Sequence, residues 1–195
     1  MKTSRTFKAG TYLAIAGILI FLGIQTAEMN FTGTYSTKQN YISDLGVNST
    51  SAAIFNLVMI IGGILIILAA YNFARSQFSV LFSVSLLIYG IGTFGVGLFP
   101  ASIGILHGIS AFLLFITGPV AAISSRKYST KSVKRISTTL GVISIIFLVA
   151  FATSQGVEQI GGLERWVVYP ITMWLILFGS NINGKSQTAT GEIEH

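Results

Sequence analysis

The sequence predicts an all-α integral membrane protein, a bundle of six transmembrane helices whose N- and C-termini are both cytoplasmic. The first reason is composition, because 52% of the 195 residues are hydrophobic and only 9% are charged, whereas soluble domains carry about 25% charged residues. The second is that six apolar stretches approach the roughly 20 residues that cross a hydrocarbon core about 30 Å thick. The third is that these stretches are too long for strands and lack period-two alternation, and an open sheet edge is not stable in lipid.

The six predicted spans follow one another along the chain. They cover about residues 9–27, 53–74, 78–99, 104–124, 136–154 and 165–181. The first follows a basic segment, as the apolar part of a signal peptide would. It continues without a small-residue cleavage site, however, and is therefore interpreted as a span. The last is short, and Pro170 is expected to kink it.

Lysine and arginine are distributed unequally between the two sides of the predicted bundle. Of the 12 basic residues, all but Lys38 and Arg165 lie with the two termini. Cytoplasmic segments are enriched in these residues. The sequence therefore predicts a multi-pass protein of the cell membrane, with a cytoplasmic N-terminus (1–8), a membrane domain (9–182) and a disordered cytoplasmic tail (183–195). The domain includes an external loop at about 28–52 and a basic cytoplasmic loop at about 125–135.

The predicted external loop is polar and contains two N-glycosylation sequons, at Asn30 and Asn48. Both sequons fall on the side that the charge distribution assigns to the exterior. The sequence therefore predicts a glycoprotein. The net charge of +6 lies in short clusters rather than in one stripe, so nucleic acid is not an expected partner.

Most ionisable residues outside the basic clusters map to the external ends of the spans. Such residues are costly in a membrane unless they are paired or hydrated, and they often mark functional sites. We therefore predict an outward-facing polar cavity. Its candidate ligand-binding residues are Glu28, Tyr41, Ser43, Asp44, Asn56, His107, Glu158 and Arg165.

Structural roles compete with this interpretation. Glu164 and Arg165 are expected to form an exposed pair at the membrane interface. Asp44 is alternatively expected to cap a helical turn, and His107 to make a structural hydrogen bond, with ligand contact or proton chemistry as the alternative. A belt of aromatic side chains at the interface is the expected role of Trp166, Tyr169 and Trp174.

Catalytic and metal chemistry have weak support in the sequence. The chain has no cysteine, and a single histidine near a span is too little for a metal site, so none is predicted. Ser43 and His107, with Asp44 or Glu158, supply the residue types of a serine hydrolase without a diagnostic spacing. Enzymatic activity and cofactors are left open.

Glycines are frequent within the predicted spans, where they allow helix backbones to approach closely. The segment GIGTFGVG of the third span and the pair Gly104 and Gly108 of the fourth predict a tight contact between these two helices.

Three segments carry a family resemblance: NYISDLGVNSTSAAIFNLVMIIGGILIILAA, GIGTFGVGLFPASIGILHGISAFLLF and GLERWVVYPITMWLILFG. With them, the chain resembles, from the first span to the last, the archaeal and bacterial six-span family catalogued as domain of unknown function 998. The resemblance implies the membrane fold but no defined activity. The family looks distantly similar to larger groups that include lipid-handling proteins and membrane hydrolases. The metal-dependent, ceramidase-like hydrolases use several histidines, whereas only His107 is suitably placed here.

Three functional hypotheses follow. The leading one is a membrane protein that holds a lipid head group or small ligand in the outward-facing polar cavity. The second is an accessory subunit that packs against other subunits of a larger membrane complex. The third is a membrane-embedded lipid hydrolase or transferase with His107 as its base.

Overall fold

The computed structural model describes residues 2–154 and 160–191, and these residues form an all-helical bundle. Six α-helices lie within this part of the chain, which confirms the predicted fold class. Their bounds are α1 Lys2–Met29, α2 Ser51–Ala74, α3 Val80–Leu98, α4 Ile105–Ser124, α5 Lys131–Thr153 and α6 Ile160–Gly191. Short 3₁₀ helices lie in the connections, at Ile42–Gly46, Ala101–Ile103 and Ser125–Lys127.

Five of the described helices, α1 to α5, are long and apolar enough to cross a membrane. The sixth, α6, has the charged residues Glu164 and Arg165 in its second turn and ends in a polar segment. It continues through Pro170 and on to Gly191 as one helix. It therefore extends well into the tail that the sequence analysis expects to be disordered, and the last four residues lie outside the described part.

The helices form a ring in chain order, in which each helix packs against the next and α6 closes the ring against α1. The two ends of the ring differ. One end carries residues 30–50, the connection from α3 to α4, the end of α5 and the start of α6, and is called the long-loop end here. The other carries α1's first residues, α6's last residues and the basic residues near 126–135, and is called the basic end.

Glycines bring helix backbones together, as predicted for the spans in general, and they do so between α2 and α3 and between α1 and α6. A Cβ added to Gly63 of α2 would lie 2.4 Å from the backbone nitrogen of Phe94, and one added to Gly179 of α6 would lie 2.5 Å from the carbonyl oxygen of Gly10. Real Cβ atoms do not approach backbone atoms this closely, so these positions have no room for a side chain. The bundle therefore depends on backbone contact, as membrane helices do without a hydrophobic driving force between them.

The predicted contact between α3 and α4 uses other residues of α4 than expected. Gly92 of α3 approaches the carbonyl oxygen of Ser110, where an added Cβ would lie at 2.7 Å. The proposed role of Gly104 and Gly108 is wrong, because an added Cβ at either would meet no atom within 4 Å. Gly104 instead has a φ of +70° where the 3₁₀ helix ends and α4 begins, a conformation that glycine adopts at low cost.

The basic half of the bundle has an aromatic core. Phe73 of α2, Phe82 of α3 and Phe178 of α6 are fully buried and in mutual ring contact. Trp174 is also fully buried, with Nε1 donating to Ser125 Oγ at 3.1 Å. Its expected place in an interfacial belt is therefore wrong, since the indole belongs to the core.

The glycine contacts predict a difference between two alanine substitutions in helix interiors. Each replacement gains about 1 kcal/mol of helix propensity. At Gly63 the methyl group meets the backbone of α3, and overpacking of this kind costs about 1–3 kcal/mol, so Gly63→Ala should lower the thermal unfolding temperature in detergent. Gly108→Ala, at an exposed position, is the matched control and should leave that temperature unchanged or raise it. Equal shifts for both variants would contradict the packing described here.

Candidate functional site

The long-loop end is organised around the guanidinium group of Arg165, which is only 7% exposed. Its Nη2 lies 2.7 Å from Glu28 Oε1 on α1 and also donates to the hydroxyl of Tyr35. Its Nη1 donates to the carbonyl oxygens of Asn40 at 2.8 Å and Gly161 at 2.9 Å. One side chain thus joins α1, the long loop and α6.

The expected exposed pair of Glu164 and Arg165 is wrong. Glu164 is only 6% exposed, and it faces a different part of the protein from Arg165. Successive residues of a helix project about 100° apart, so Arg165 contacts α1 while Glu164 turns toward the bundle interior. There Glu164 Oε2 accepts a hydrogen bond from the backbone N–H of Ile42 at 2.5 Å.

Tyr35, in the long loop, contacts Arg165 through both its hydroxyl and its ring. Its ring lies beside the guanidinium, with Arg165 Cζ 5.6 Å from the ring centroid, a geometry that attracts a cation. Desolvation by burial raises the pKa of the Tyr35 hydroxyl. The phenol therefore stays protonated, and it donates to Glu28 Oε1 at 3.3 Å while it accepts from Arg165.

The long loop lies directly on the first turn of α6, at the adjacent residues Gly161 and Gly162. A Cβ added to Gly161 would lie 2.0 Å from the carbonyl oxygen of Asn40. At Gly162 the backbone N–H donates to the carbonyl oxygen of Lys38 at 3.1 Å. An added Cβ there would meet the Lys38 Cα only at 3.9 Å, an ordinary contact distance. Side-chain-free backbone is therefore required at Gly161 but not at Gly162.

Asp44 caps the 3₁₀ helix Ile42–Gly46, which confirms the structural role expected of it. Its Oδ2 accepts from the backbone N–H of Tyr41 at 2.9 Å and from Asn40 Nδ2 at 3.2 Å. The ring of Tyr41 packs edge-on against Phe151 of α5, with centroids 6.0 Å apart. These contacts fix the 3₁₀ helix over the long-loop end of the bundle.

The two sequons are joined by hydrogen bonds within the loop. Asn48 Oδ1 accepts from the backbone N–H of Thr32 at 3.2 Å and from its hydroxyl at 3.0 Å, and Asn48 Nδ2 donates to the Thr32 carbonyl at 3.0 Å. Asn48 Oδ1 also accepts from Thr50 N at the start of α2. Asn30, which is exposed, bonds back to the Thr26 carbonyl at 2.8 Å. The polar residues thus have a structural role, and glycosylation stays a prediction.

His107 makes the structural hydrogen bond expected of it, with Nδ1 2.8 Å from the carbonyl oxygen of Phe99. A carbonyl only accepts hydrogen bonds, so this assigns the Nδ1 proton. His107 also lines an inner cavity of about 30 Å³ with Ser43 and Glu164. One or two water molecules fit in this volume, whereas a lipid head group or an ester substrate beside Ser43 and His107 does not.

The eight predicted ligand-binding residues therefore do not share one cavity. Ser43 and His107 line the inner cavity, and Glu28, Tyr41, Asp44 and Arg165 are engaged in the contacts given above. Asn56 Nδ2 donates to the Gly46 carbonyl at 3.1 Å. Glu158 lies outside the described residues. Within the described ranges, no cluster of three His, Asp or Glu residues is placed to hold a metal ion.

A much larger space, which the sequence analysis missed, is a groove between α5 and α6. Its volume is about 430 Å³, and it is called the α5–α6 groove here. Leu140 and Ile143 form the α5 wall, Pro170 and Met173 lie on the α6 wall, and Lys38 is at the long-loop end. No local pattern signals this site, because its lining residues come from the long loop, α5 and α6, which are far apart in the chain.

Fold and site together define an all-helical membrane protein whose long loop is fastened to its first and last helices. A family model described as "Protein of unknown function (DUF998)" matches residues 14–181. The chain belongs to this family, which confirms the resemblance seen in the sequence. No curated protein and no solved structure matches the chain.

The contact between the long loop and α6 predicts that alanine is destabilising at Gly161 but tolerated at the adjacent Gly162. Gly161→Ala should lower the thermal unfolding temperature and increase proteolysis of the 30–50 loop, because the methyl group collides with the Asn40 carbonyl. Gly162→Ala, the matched control with the same gain in helix propensity of about 1 kcal/mol, should be tolerated. If Gly161→Ala were as stable and as protease-resistant as Gly162→Ala, the described contact would be incorrect.

Proposed function

We propose that the protein binds a membrane phospholipid in the α5–α6 groove, with an acyl chain along the apolar walls and the head group at the long-loop end. The single observation that carries this proposal is the groove itself. It is large, its walls are apolar, and cationic residues lie at one end. In the proposed setting the protein spans the cell membrane with six helices, and the long-loop end faces outward.

The length of the groove suits one leaflet of a bilayer. On α6 it extends from Gly162 to Met173, which at 1.5 Å per residue is about 16 Å. The hydrocarbon core of a bilayer is about 30 Å thick, so the groove is about as long as one layer of acyl chains. An extended chain would therefore follow α6 from the interface to the middle of the membrane.

The polarity of the groove changes along this length in the order that a lipid requires. Thr37 and Lys38 lie at the loop, followed by Trp166 and Tyr169. Trp and Tyr prefer the region of the head groups, and Trp166 is 54% exposed. Met173 lies furthest from the loop, where the groove is apolar. This sequence of polar, aromatic and aliphatic side chains supports a lipid as the occupant.

Each of the other two hypotheses has less support than a binding role. A hydrolase would need its substrate next to Ser43 and His107, and the cavity between them has a volume of only about 30 Å³. An accessory subunit would need a partner for the exposed apolar side chains of α4 and α5, such as Phe112 and Ile146. Lipid tails cover such side chains without a partner protein.

Filling the groove tests the proposal. Ile143→Trp places an indole in the α5–α6 groove, and it should reduce the phospholipid retained through mild detergent purification by about tenfold, a loss of about 1.4 kcal/mol in binding. Native mass spectrometry of the purified protein counts the retained lipids. Ile54→Trp is the matched control, because Ile54 lines a second groove of about 440 Å³ between α1 and α2.

The control should leave the lipid that is specific to the α5–α6 groove in place. Thermal unfolding of both variants verifies that the substitutions are tolerated. Equal lipid content in the wild type and the Ile143→Trp variant would overturn the proposal.

A further inference from the structure

We infer that the α5–α6 groove selects phospholipids with a net negative head group over zwitterionic ones, and that Lys38 is the residue responsible. This inference rests on the proposed function and adds the class of head group. It concerns a residue that the sequence analysis did not include among its candidates for ligand binding.

Two cationic side chains, Lys38 and Arg165, line the groove, and they differ in whether an acidic side chain neutralises them. Arg165 is buried, and its charge is compensated by Glu28, whose Oε1 lies 2.7 Å from Nη2. Lys38 is exposed, and within residues 2–154 and 160–191 it has no carboxylate partner within salt-bridge distance. Of the other described acids near this end, Asp44 accepts hydrogen bonds in the loop and Glu164 faces the bundle interior. Among the residues that the structure describes, the cation at the groove without a carboxylate partner is therefore Lys38.

The backbone of Lys38 is held in place, although its side chain has no hydrogen bond or ion pair to the described part of the chain. Its carbonyl oxygen accepts the N–H of Gly162 at 3.1 Å, so its Cα lies beside the first turn of α6. Arg165 holds the adjacent part of the loop by donating a hydrogen bond to the Asn40 carbonyl. The flexible side chain of Lys38 thus extends from a fixed Cα at the polar end of the groove, where the phosphate of a bound lipid would lie.

The groove between α1 and α2 provides the contrast within the same molecule. It is equally large, at about 440 Å³, and its lining is aliphatic apart from Gly23 and Thr26. No charged residue lines it. A lipid chain can occupy either groove, but only the α5–α6 groove offers a cation to the head group. Charge preference is therefore expected at one groove and not at the other.

The test is a competition between two lipids with identical acyl chains, phosphatidylglycerol and phosphatidylcholine. The full chain in detergent is equilibrated with both lipids in equal amounts, and native mass spectrometry counts each bound lipid. The Ile143→Trp variant identifies the portion that belongs to the α5–α6 groove. We expect that portion to favour phosphatidylglycerol about fivefold, as for one basic residue near an anionic membrane surface.

Lys38→Gln should reduce this ratio to about one while the total lipid in the groove persists, and Lys38→Arg should preserve it. Lys8→Gln, a change at an exposed lysine of the basic end, should have no effect. If Ile143→Trp displaces lipid but Lys38→Gln leaves the ratio unchanged, the inference is overturned and the proposed function stands. If Ile143→Trp displaces no lipid, both fail.

Discussion

The buried charge of Arg165 is the constraint on which the long-loop end depends. A guanidinium group that is only 7% exposed must be neutralised and hydrogen-bonded, because an uncompensated charge in a membrane protein is costly. Its partners come from α1, from the long loop and from α6 itself. The bonds of its two terminal nitrogens therefore close the ring of helices between α1 and α6 and fasten the loop across the same end.

The fastened loop separates two spaces of different character. On its inner side, the 3₁₀ helix Ile42–Gly46 covers a cavity of about 30 Å³, and Glu164 accepts the N–H of Ile42 there. On its outer side, Lys38 lies at the end of a groove of about 430 Å³. The expected ligand site inside the bundle is thus reduced to the volume of one or two water molecules, and the space suited to a lipid lies on the surface. The adjacent residues Glu164 and Arg165 lie on opposite sides of the loop, Glu164 in the inner cavity and Arg165 at the α5–α6 groove.

Local patterns predicted the helices, the backbone contacts at several glycines and the cap formed by Asp44, because each depends on residues close in the chain or on composition. Contacts between residues that are far apart in the chain were not predicted. Glu28 and Arg165 are 137 positions apart, and adjacent opposite charges suggested Glu164 as the partner instead. Tryptophan is typical of membrane interfaces, and only the packing of α6 makes Trp174 part of the core. The α5–α6 groove likewise depends on how residues of two helices and the long loop come together, which no pattern within either helix predicts.

A double-mutant cycle between Glu28 and Arg165 tests the central claim most directly. The free energy of unfolding in detergent would be measured for the wild type, Glu28→Gln, Arg165→Met and the double variant. Each single change leaves one buried charge without its partner and should cost about 3 kcal/mol, whereas the double variant should lose less than the sum, with a coupling of about 1–3 kcal/mol. Additive losses would mean that the two side chains act independently and that the long-loop end does not depend on their pairing.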